Sequence, residues 1–186
     1  MTRRMSTVEA ALTTWEEFVK LEDEEESGTH LELHDGEVVI VPPAKPFHKY
    51  LQNLLVHWIT VAANGRGRGT EEFAYRPAAN LQYWVADVAY LPNEDWEAMR
   101  TDEYVVYSPP LIVEVLSPSN RRSKIDRQRL AAFSGGTREF WVVDPKSRTI
   151  EVFVLGKPSR VYGVSEKIAV ATLPSAKFPV AELFRD

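Results

Sequence analysis

The segment LIVEVL, residues 111–116, is apolar except for one carboxylate near its centre, Glu114. Prolines bound it on both sides, which is typical of a short buried strand between turns. A second strand-like run, VADVAYL at residues 85–91, carries Asp87 in a similar setting. Because an isolated buried carboxylate is very costly, each acid must be paired, neutralised or bound to a cation.

The remaining segments supply strands and helices in turn. Asp35-Gly36 between two strand-like arms predicts a hairpin, and apolar residues at helical spacing predict a helix from about Phe47 to Ala63. The NGRGRG sequence that follows is expected to be a loop. A second long helix should follow the Glu114 strand, capped by Ser119 or Asn120. In chain order we also expect a short helix in WEEFVKL, strands at residues 73–75, 80–83, 85–91, 139–143, 149–155 and 167–172, and a helical turn in PVAELF.

The order helix, hairpin, helix, strands, helix, strands predicts an α/β fold of the α+β mixed-sheet type. A central mixed β-sheet would carry a helix on each face. The 186 residues fit one domain, expected over residues 14–186 after a flexible N-terminus at residues 1–13.

Composition narrows the chemistry. The chain has no cysteine, so a metal would need oxygen ligands or one of the four histidines. A net charge of −5 argues against a protein that coats nucleic acid by charge alone. The longest apolar stretch, residues 54–63, is shorter than the ~20 residues that span a bilayer. The N-terminus lacks the apolar centre of a signal peptide, so we expect a cytoplasmic protein with no membrane partner.

Two strand acids could converge at one end of a sheet and bind a hard cation such as Mg²⁺ through oxygen. Such a site hydrolyses phosphodiesters in many proteins, because the metal activates water and stabilises charge on the phosphate. Glu32, in the hairpin, is a candidate third acid. The alternatives are an arginine partner for Asp87 or Glu114, and an exposed hairpin position for Glu32.

The succession HLELHDGEVV, a helix containing His48, ADVAYL, LIVEVLSPSN and GGTREFWVVDP resembles the Uma-two family of putative restriction endonucleases, in the PD-(D/E)XK nuclease superfamily. The resemblance covers residues 14 to 185 and implies a restriction-endonuclease-like core with Mg²⁺- or Mn²⁺-dependent cleavage. It implies that Glu32, Asp87 and Glu114 bind the metal. Ala86 replaces the proline of the family's strand motif.

The lysine of the superfamily motif is missing from its usual place, which Leu116 occupies. Many family members carry it on the next helix, where this chain has Gln128. Lys124 lies one helical turn before Gln128 and can reach the same area. The predicted catalytic residues are therefore Asp87, Glu114, Gln128 and Lys124.

The segment RRSKIDRQR, residues 121–129, carries five basic residues just after the Glu114 strand. Such residues would position a nucleic acid by its phosphates, and the alternative is a solvated helix face. The resemblance adds a histidine at the start of the first long helix. The predicted nucleic-acid-binding residues are His48, Arg121, Arg122, Arg127 and Arg129.

These observations predict a metal-dependent endonuclease whose substrate is DNA. The alternative is a nuclease-fold protein without cleavage activity that serves as a nucleic-acid-binding or dimeric scaffold, which the missing lysine favours. A third interpretation is a protein whose strand acids are only salt-bridged. A homodimer is also expected from the resemblance.

Overall fold

A mixed β-sheet forms the centre of the computed structural model, which describes residues 12–25, 29–117 and 122–185. No helix within these ranges is long and apolar enough to span a membrane. The elements are α1 (Trp15–Asp23), β1 (His30–His34), β2 (Glu37–Val41), α2 (Pro46–Ala63), β3 (Gly67–Tyr75), β4 (Gln82–Pro92), α3 (Asn93–Ala98), β5 (Leu111–Val115), α4 (Arg122–Ser134), β6 (Glu139–Asp144), β7 (Thr149–Val154), β8 (Arg160–Gly163), β9 (Lys167–Ala169), β10 (Lys177–Pro179) and a 3₁₀ turn (Val180–Phe184).

The strand order of the main sheet is β2-β1-β4-β5-β6-β7-β8, and β3 pairs with β4 outside this path. Strands β5 and β6 are parallel, whereas the other pairs of this sheet are antiparallel. Parallel neighbours need a crossover connection, and α4 lies in that connection. The predicted fold class, a central mixed sheet flanked by helices, is confirmed.

The two long helices cover opposite faces of the sheet. Leu55 and Ile59 of α2 are buried in one hydrophobic cluster with Val113 of β5. Ile125 of α4 is buried in another cluster with Ile112 of β5. Because successive strand residues point to opposite faces, α2 and α4 meet alternate side chains of the strand that carries the central acid.

Helix α1 anchors the β1–β2 hairpin. Thr14 caps the helix: its Oγ1 accepts from Glu17 N at 3.2 Å, and Glu17 Oε2 accepts from Thr14 N at 2.8 Å, which is a capping box. Phe18 is fully buried against Leu31 and Leu33 of β1. This contact holds in place the strand that presents Glu32.

The predicted NGRGRG loop was wrong in its second half, because β3 already begins at Gly67. The glycines are required by close packing rather than by a turn. A Cβ added at Gly67 would lie 2.3 Å from Leu91 O, and one at Gly69 would lie 2.9 Å from Val56 O on α2. The separately predicted short strands are therefore the ends of two long paired strands, β3 and β4.

Two further predictions concern residues that lie wholly or mostly outside the described part of the chain. The expected capping residues Ser119 and Asn120 lie outside the described residues, as does nearly all of the N-terminal segment 1–13. Within that segment Thr13 N donates to Gly36 O at 2.9 Å.

The close contact of α2 with β3 should be sensitive to a single methyl group. We expect Gly69→Ala to lower the free energy of unfolding by roughly 1–3 kcal/mol, because the Cβ would meet the Val56 carbonyl, which cannot easily move. Gly163→Ala is the control, since its nearest neighbour lies 4.0 Å away. Equal denaturant midpoints for the two variants would refute this description of the contact.

Candidate active site

The predicted acids meet where the sheet pairing of β4 is interrupted on the edge opposite β3. Strand β4 pairs with β1 at its start and with β5 further along. Between these stretches two backbone N–H groups of β4 are bound by carboxylates: Val85 N donates to Glu32 Oε1 at 3.1 Å, and Asp87 N donates to Glu114 Oε1 at 3.2 Å. The acids thus complete the hydrogen bonding of a strand that would otherwise lack partners there.

Asp87 is held by backbone and by α2. Its Oδ2 accepts from Val115 N at 2.7 Å. Its Oδ1 lies 2.9 Å from His48 Nε2 and accepts from Gln52 Nε2 at 3.2 Å. His48 and Gln52 are one helical turn apart, so both reach the same oxygen. This arrangement fixes the orientation of the carboxylate.

Glu114 is buried, with 5% of its surface exposed, and the helix that contacts its carboxylate is α4 rather than α2. Its Oε1 accepts from Gln128 Nε2 at 2.8 Å. Burial raises the pKa of Glu114 well above its ordinary value, and the negative charges of Asp87 and Glu32 raise it further. No arginine is paired with Glu114 among the described residues, so the arginine-partner interpretation does not describe this site.

Glu32 has a different environment from Glu114, although it is only 1% exposed. Its Oε2 lies 2.6 Å from Lys124 Nζ and 2.9 Å from His34 Nε2. Burial raises the pKa of Glu32, but the hydrogen bond from His34 and the charge of Lys124 outweigh burial and hold the pKa below its ordinary value. The alternative of an exposed position for Glu32 is therefore wrong, and Lys124 reaches Glu32 from α4.

Leu116 stands where the superfamily motif has its lysine, and its side chain packs against the hydrophobic cluster of the α4 face. A positive charge instead comes from Lys124, which is paired with Glu32 and whose side chain is 29% exposed. The site therefore contains a lysine that enters from the helix after β5.

The described arginines of α4 are each paired with a carboxylate. Arg122 Nη2 lies 2.7 Å from Glu151 Oε2 and Arg127 Nη2 lies 3.0 Å from Asp35 Oδ2. Arg129 Nη2 lies 3.3 Å from Asp126 Oδ1, and its guanidinium lies 4.3 Å from the centre of the Phe153 ring. Arg121 lies outside the described residues. The nucleic-acid role of these arginines stays a prediction.

The three acids do not form one ligand shell. Within residues 12–25, 29–117 and 122–185, no group of three or more His, Asp or Glu side chains is arranged to hold a metal ion. Asp87 and Glu114 share backbone contacts, whereas Glu32 is bound to Lys124 and His34. The acids thus divide into a carboxylate pair and an ion pair.

Sequence reasoning missed three residues of this site. Gln52 follows His48 by four residues on a helix, and His34 follows Glu32 by two residues on a strand. Each spacing places the second residue on the same face as the predicted site residue, so both could have been found. Tyr75 is buried near Glu114, whose charge adds to burial in raising the pKa of its hydroxyl well above the ordinary value. No local sequence signal indicates Tyr75.

The family model described as "Uma2: Putative restriction endonuclease" matches residues 15–181. Among solved structures, the fold is similar to that of a protein described as "a putative nuclease belonging to DUF820 from Anabaena variabilis ATCC 29413". The TM-score is 0.76 at 21% sequence identity, with 91% of this chain and 96% of that chain covered. A search of curated proteins found no match.

The ionised carboxylate of Glu114 should destabilise the folded protein, because it is buried near two other acids. A carboxyl whose folded-state pKa lies above its unfolded value loses stability as pH rises from the unfolded pKa through the folded pKa. We therefore expect Glu114→Gln, which keeps the acceptor oxygen, to raise the free energy of unfolding in metal-free buffer. The gain should grow with pH above about 4, by on the order of 1 kcal/mol per pH unit, in denaturant titrations.

Glu139→Gln is a matched control, because Glu139 is also a fully buried strand glutamate. Its oxygens accept from Trp141 Nε1, Thr172 N and Thr172 Oγ1 at 2.9, 2.9 and 3.0 Å. An amide would turn a donor toward another donor, so this variant should lose roughly 1–3 kcal/mol. Equal losses in both variants would show that Glu114 is an ordinary structural acid.

Proposed function

Since the chain belongs to the Uma2 family of putative restriction endonucleases, we propose that it is a metal-dependent endonuclease that hydrolyses phosphodiester bonds of DNA. The observation that supports this proposal best is the pair formed by the buried Glu114 and the partly buried Asp87. Like charges this close disfavour each other's ionised form, and a divalent cation is the partner that relieves this repulsion. The family assignment and the fold support a nuclease in general. The metal dependence and the DNA substrate are what we propose in addition.

The donor set of the pair fits a hard cation. Carboxylate and amide oxygens are the ligands that Mg²⁺ and Mn²⁺ prefer. Beside Asp87, the Oε1 atom of Gln52 is buried and has no hydrogen-bond partner in the described part of the chain. Asp87 and Glu114 would hold the ion, with Gln52 as a nearby oxygen donor. The predicted metal role of Glu32 is retained as a weaker part of the proposal, because its carboxylate already binds Lys124.

When bound, the cation would activate water and stabilise negative charge on the phosphate. The protein's own residues supply the rest of the proposed chemistry. His48 Nε2 lies 2.9 Å from Asp87 Oδ1 and would orient that carboxylate. Gln128 donates to Glu114 Oε1 and orients that carboxylate. These positioning contacts would keep both acids fixed while a substrate binds.

Lys124 is proposed to stabilise charge at the phosphate in place of the superfamily lysine. Its ammonium lies against Glu32, and its partial exposure lets it face a substrate. Glu32 and His34 would then position Lys124. A catalytically inactive scaffold is the competing function, and the leucine at position 116 is the observation that favours it.

The nuclease proposal is tested by incubating the protein with single-stranded, double-stranded and structured DNA and with RNA, each with Mg²⁺, Mn²⁺ or EDTA. We expect cleavage of DNA that requires the metal and is lost in Asp87→Asn, because that change removes a carboxylate from the pair. Metal-independent binding with no cleavage of any substrate would instead support the scaffold.

The role of Lys124 is tested separately from metal binding. Lys124→Ala should reduce the cleavage rate by roughly 10²–10³-fold, as for the loss of one transition-state donor. Lys124→Arg should retain much of the rate because it keeps the charge. Lys157→Ala, at an exposed turn after β7, is the control. Unchanged cleavage by folded Lys124→Ala would remove Lys124 from the mechanism.

A further inference from the structure

A cavity of about 280 Å³ lies beside the end of β3 and under the segment that follows α3. Its walls are unusually aromatic, and adjacent rings meet edge to face: the ring centres of Phe73 and Trp96 are 6.0 Å apart, and those of Phe73 and Tyr107 are 6.4 Å apart. The aromatic lining residues are Phe73, Tyr75, Tyr83, Trp96, Tyr104 and Tyr107. Such walls favour a flat, aromatic ligand.

Two polar groups of the cavity lining are buried without a hydrogen-bond partner in the described residues: Trp96 Nε1 and Arg76 Nε. Both can only donate. Buried donors without partners are rare and costly in folded proteins. They indicate a ligand that presents acceptor atoms at its edge.

The Arg76 guanidinium is held firmly enough to serve such a ligand. It lies 3.6 Å from the centre of the Trp15 ring, and its Nη1 donates to Tyr104 O at 3.3 Å. Burial lowers the pKa of Arg76, and the charge of Glu16 partly offsets this effect. Within the described ranges no carboxylate lies within salt-bridge distance of Arg76. Its Nε is therefore available to donate a hydrogen bond to an uncharged acceptor of a ligand.

Tyr75 connects the cavity to the surroundings of Glu114. Tyr75 lines the cavity and also belongs to the hydrophobic cluster that contains Ile112 of β5 and Ile125 of α4. The Tyr75 hydroxyl is hydrogen-bonded to Gln128, and Gln128 Nε2 donates to Glu114 Oε1 at 2.8 Å. A ligand in the cavity would therefore lie next to the proposed cleavage site.

We propose that this cavity binds one unpaired nucleobase of the DNA strand that is cleaved, an inference that rests on the proposed function. A base is flat, stacks on aromatic rings, and carries ring-nitrogen or carbonyl acceptors for the Trp96 and Arg76 donors. Its size suits a cavity at the small end of ligand sites. A phosphate fits less well, because Glu103 also lines the cavity, whereas its carboxylate can accept from an exocyclic amino group.

The test compares binding of a short single-stranded DNA with that of an abasic strand of equal length, by fluorescence anisotropy in EDTA. The two strands carry the same phosphates, so their affinity ratio reports base contacts alone. Wild type should prefer the strand with bases by about tenfold or more, and Trp96→Ala should reduce this ratio about tenfold. Trp96→Phe keeps a ring but loses the N–H, and should reduce the ratio about threefold.

Tyr162→Ala is the control for loss of an aromatic ring elsewhere, and circular dichroism establishes that each variant is folded. An unchanged ratio in both Trp96 variants, with binding and cleavage intact, would overturn the base cavity and leave the nuclease proposal standing. A wild-type protein that binds neither strand and cleaves no DNA would overturn both.

Discussion

The site is organised by two reciprocal hydrogen bonds between strands β4 and β5. Glu114 accepts the N–H of Asp87, and Asp87 accepts the N–H of Val115, so each acid is fixed by the backbone of the strand that carries the other. This exchange joins β4 to β5 at the point where their regular pairing ends. It also places the partly buried carboxylate of Asp87 beside the buried carboxylate of Glu114, where their charges repel.

The surrounding elements supply that pair with polar contacts from both faces of the sheet. Helix α2 brings His48 and Gln52 to Asp87, and α4 brings Gln128 to Glu114. A second, separate interaction neutralises Glu32 by Lys124. The net result is a carboxylate pair without a cationic Lys or Arg partner of its own among the described residues, beside the ion pair of Lys124 and Glu32, which is the arrangement that the proposed cation and phosphate chemistry needs.

Much of this was predictable because it is local in sequence. The Asp35-Gly36 turn, the long α2 and the strands around Asp87 and Glu114 follow from patterns a few residues long. Lys124 could be placed near the acids by helical spacing from Gln128. The Uma2 assignment agrees with the resemblance that these motifs carry.

The remaining features depend on contacts between distant segments. The glycines of β3 resemble a loop sequence. Their role depends on α2, which packs so closely on β3 that a Cβ added at Gly69 would lie 2.9 Å from Val56 O. Arg127 forms its ion pair with Asp35, which is far away in the chain. The sequence alone therefore could not tell whether the basic residues of α4 have carboxylate partners. Tyr75 enters the site only because β3 lies beside β4.

The central claim is that Asp87 and Glu114 form a cation site. It is tested most directly by calorimetric titration of Mg²⁺ and Mn²⁺ into wild type, Glu114→Gln and Glu139→Gln. The account predicts saturable binding to wild type and Glu139→Gln and its loss in Glu114→Gln. Equal binding by all three proteins, or none by wild type, would contradict it.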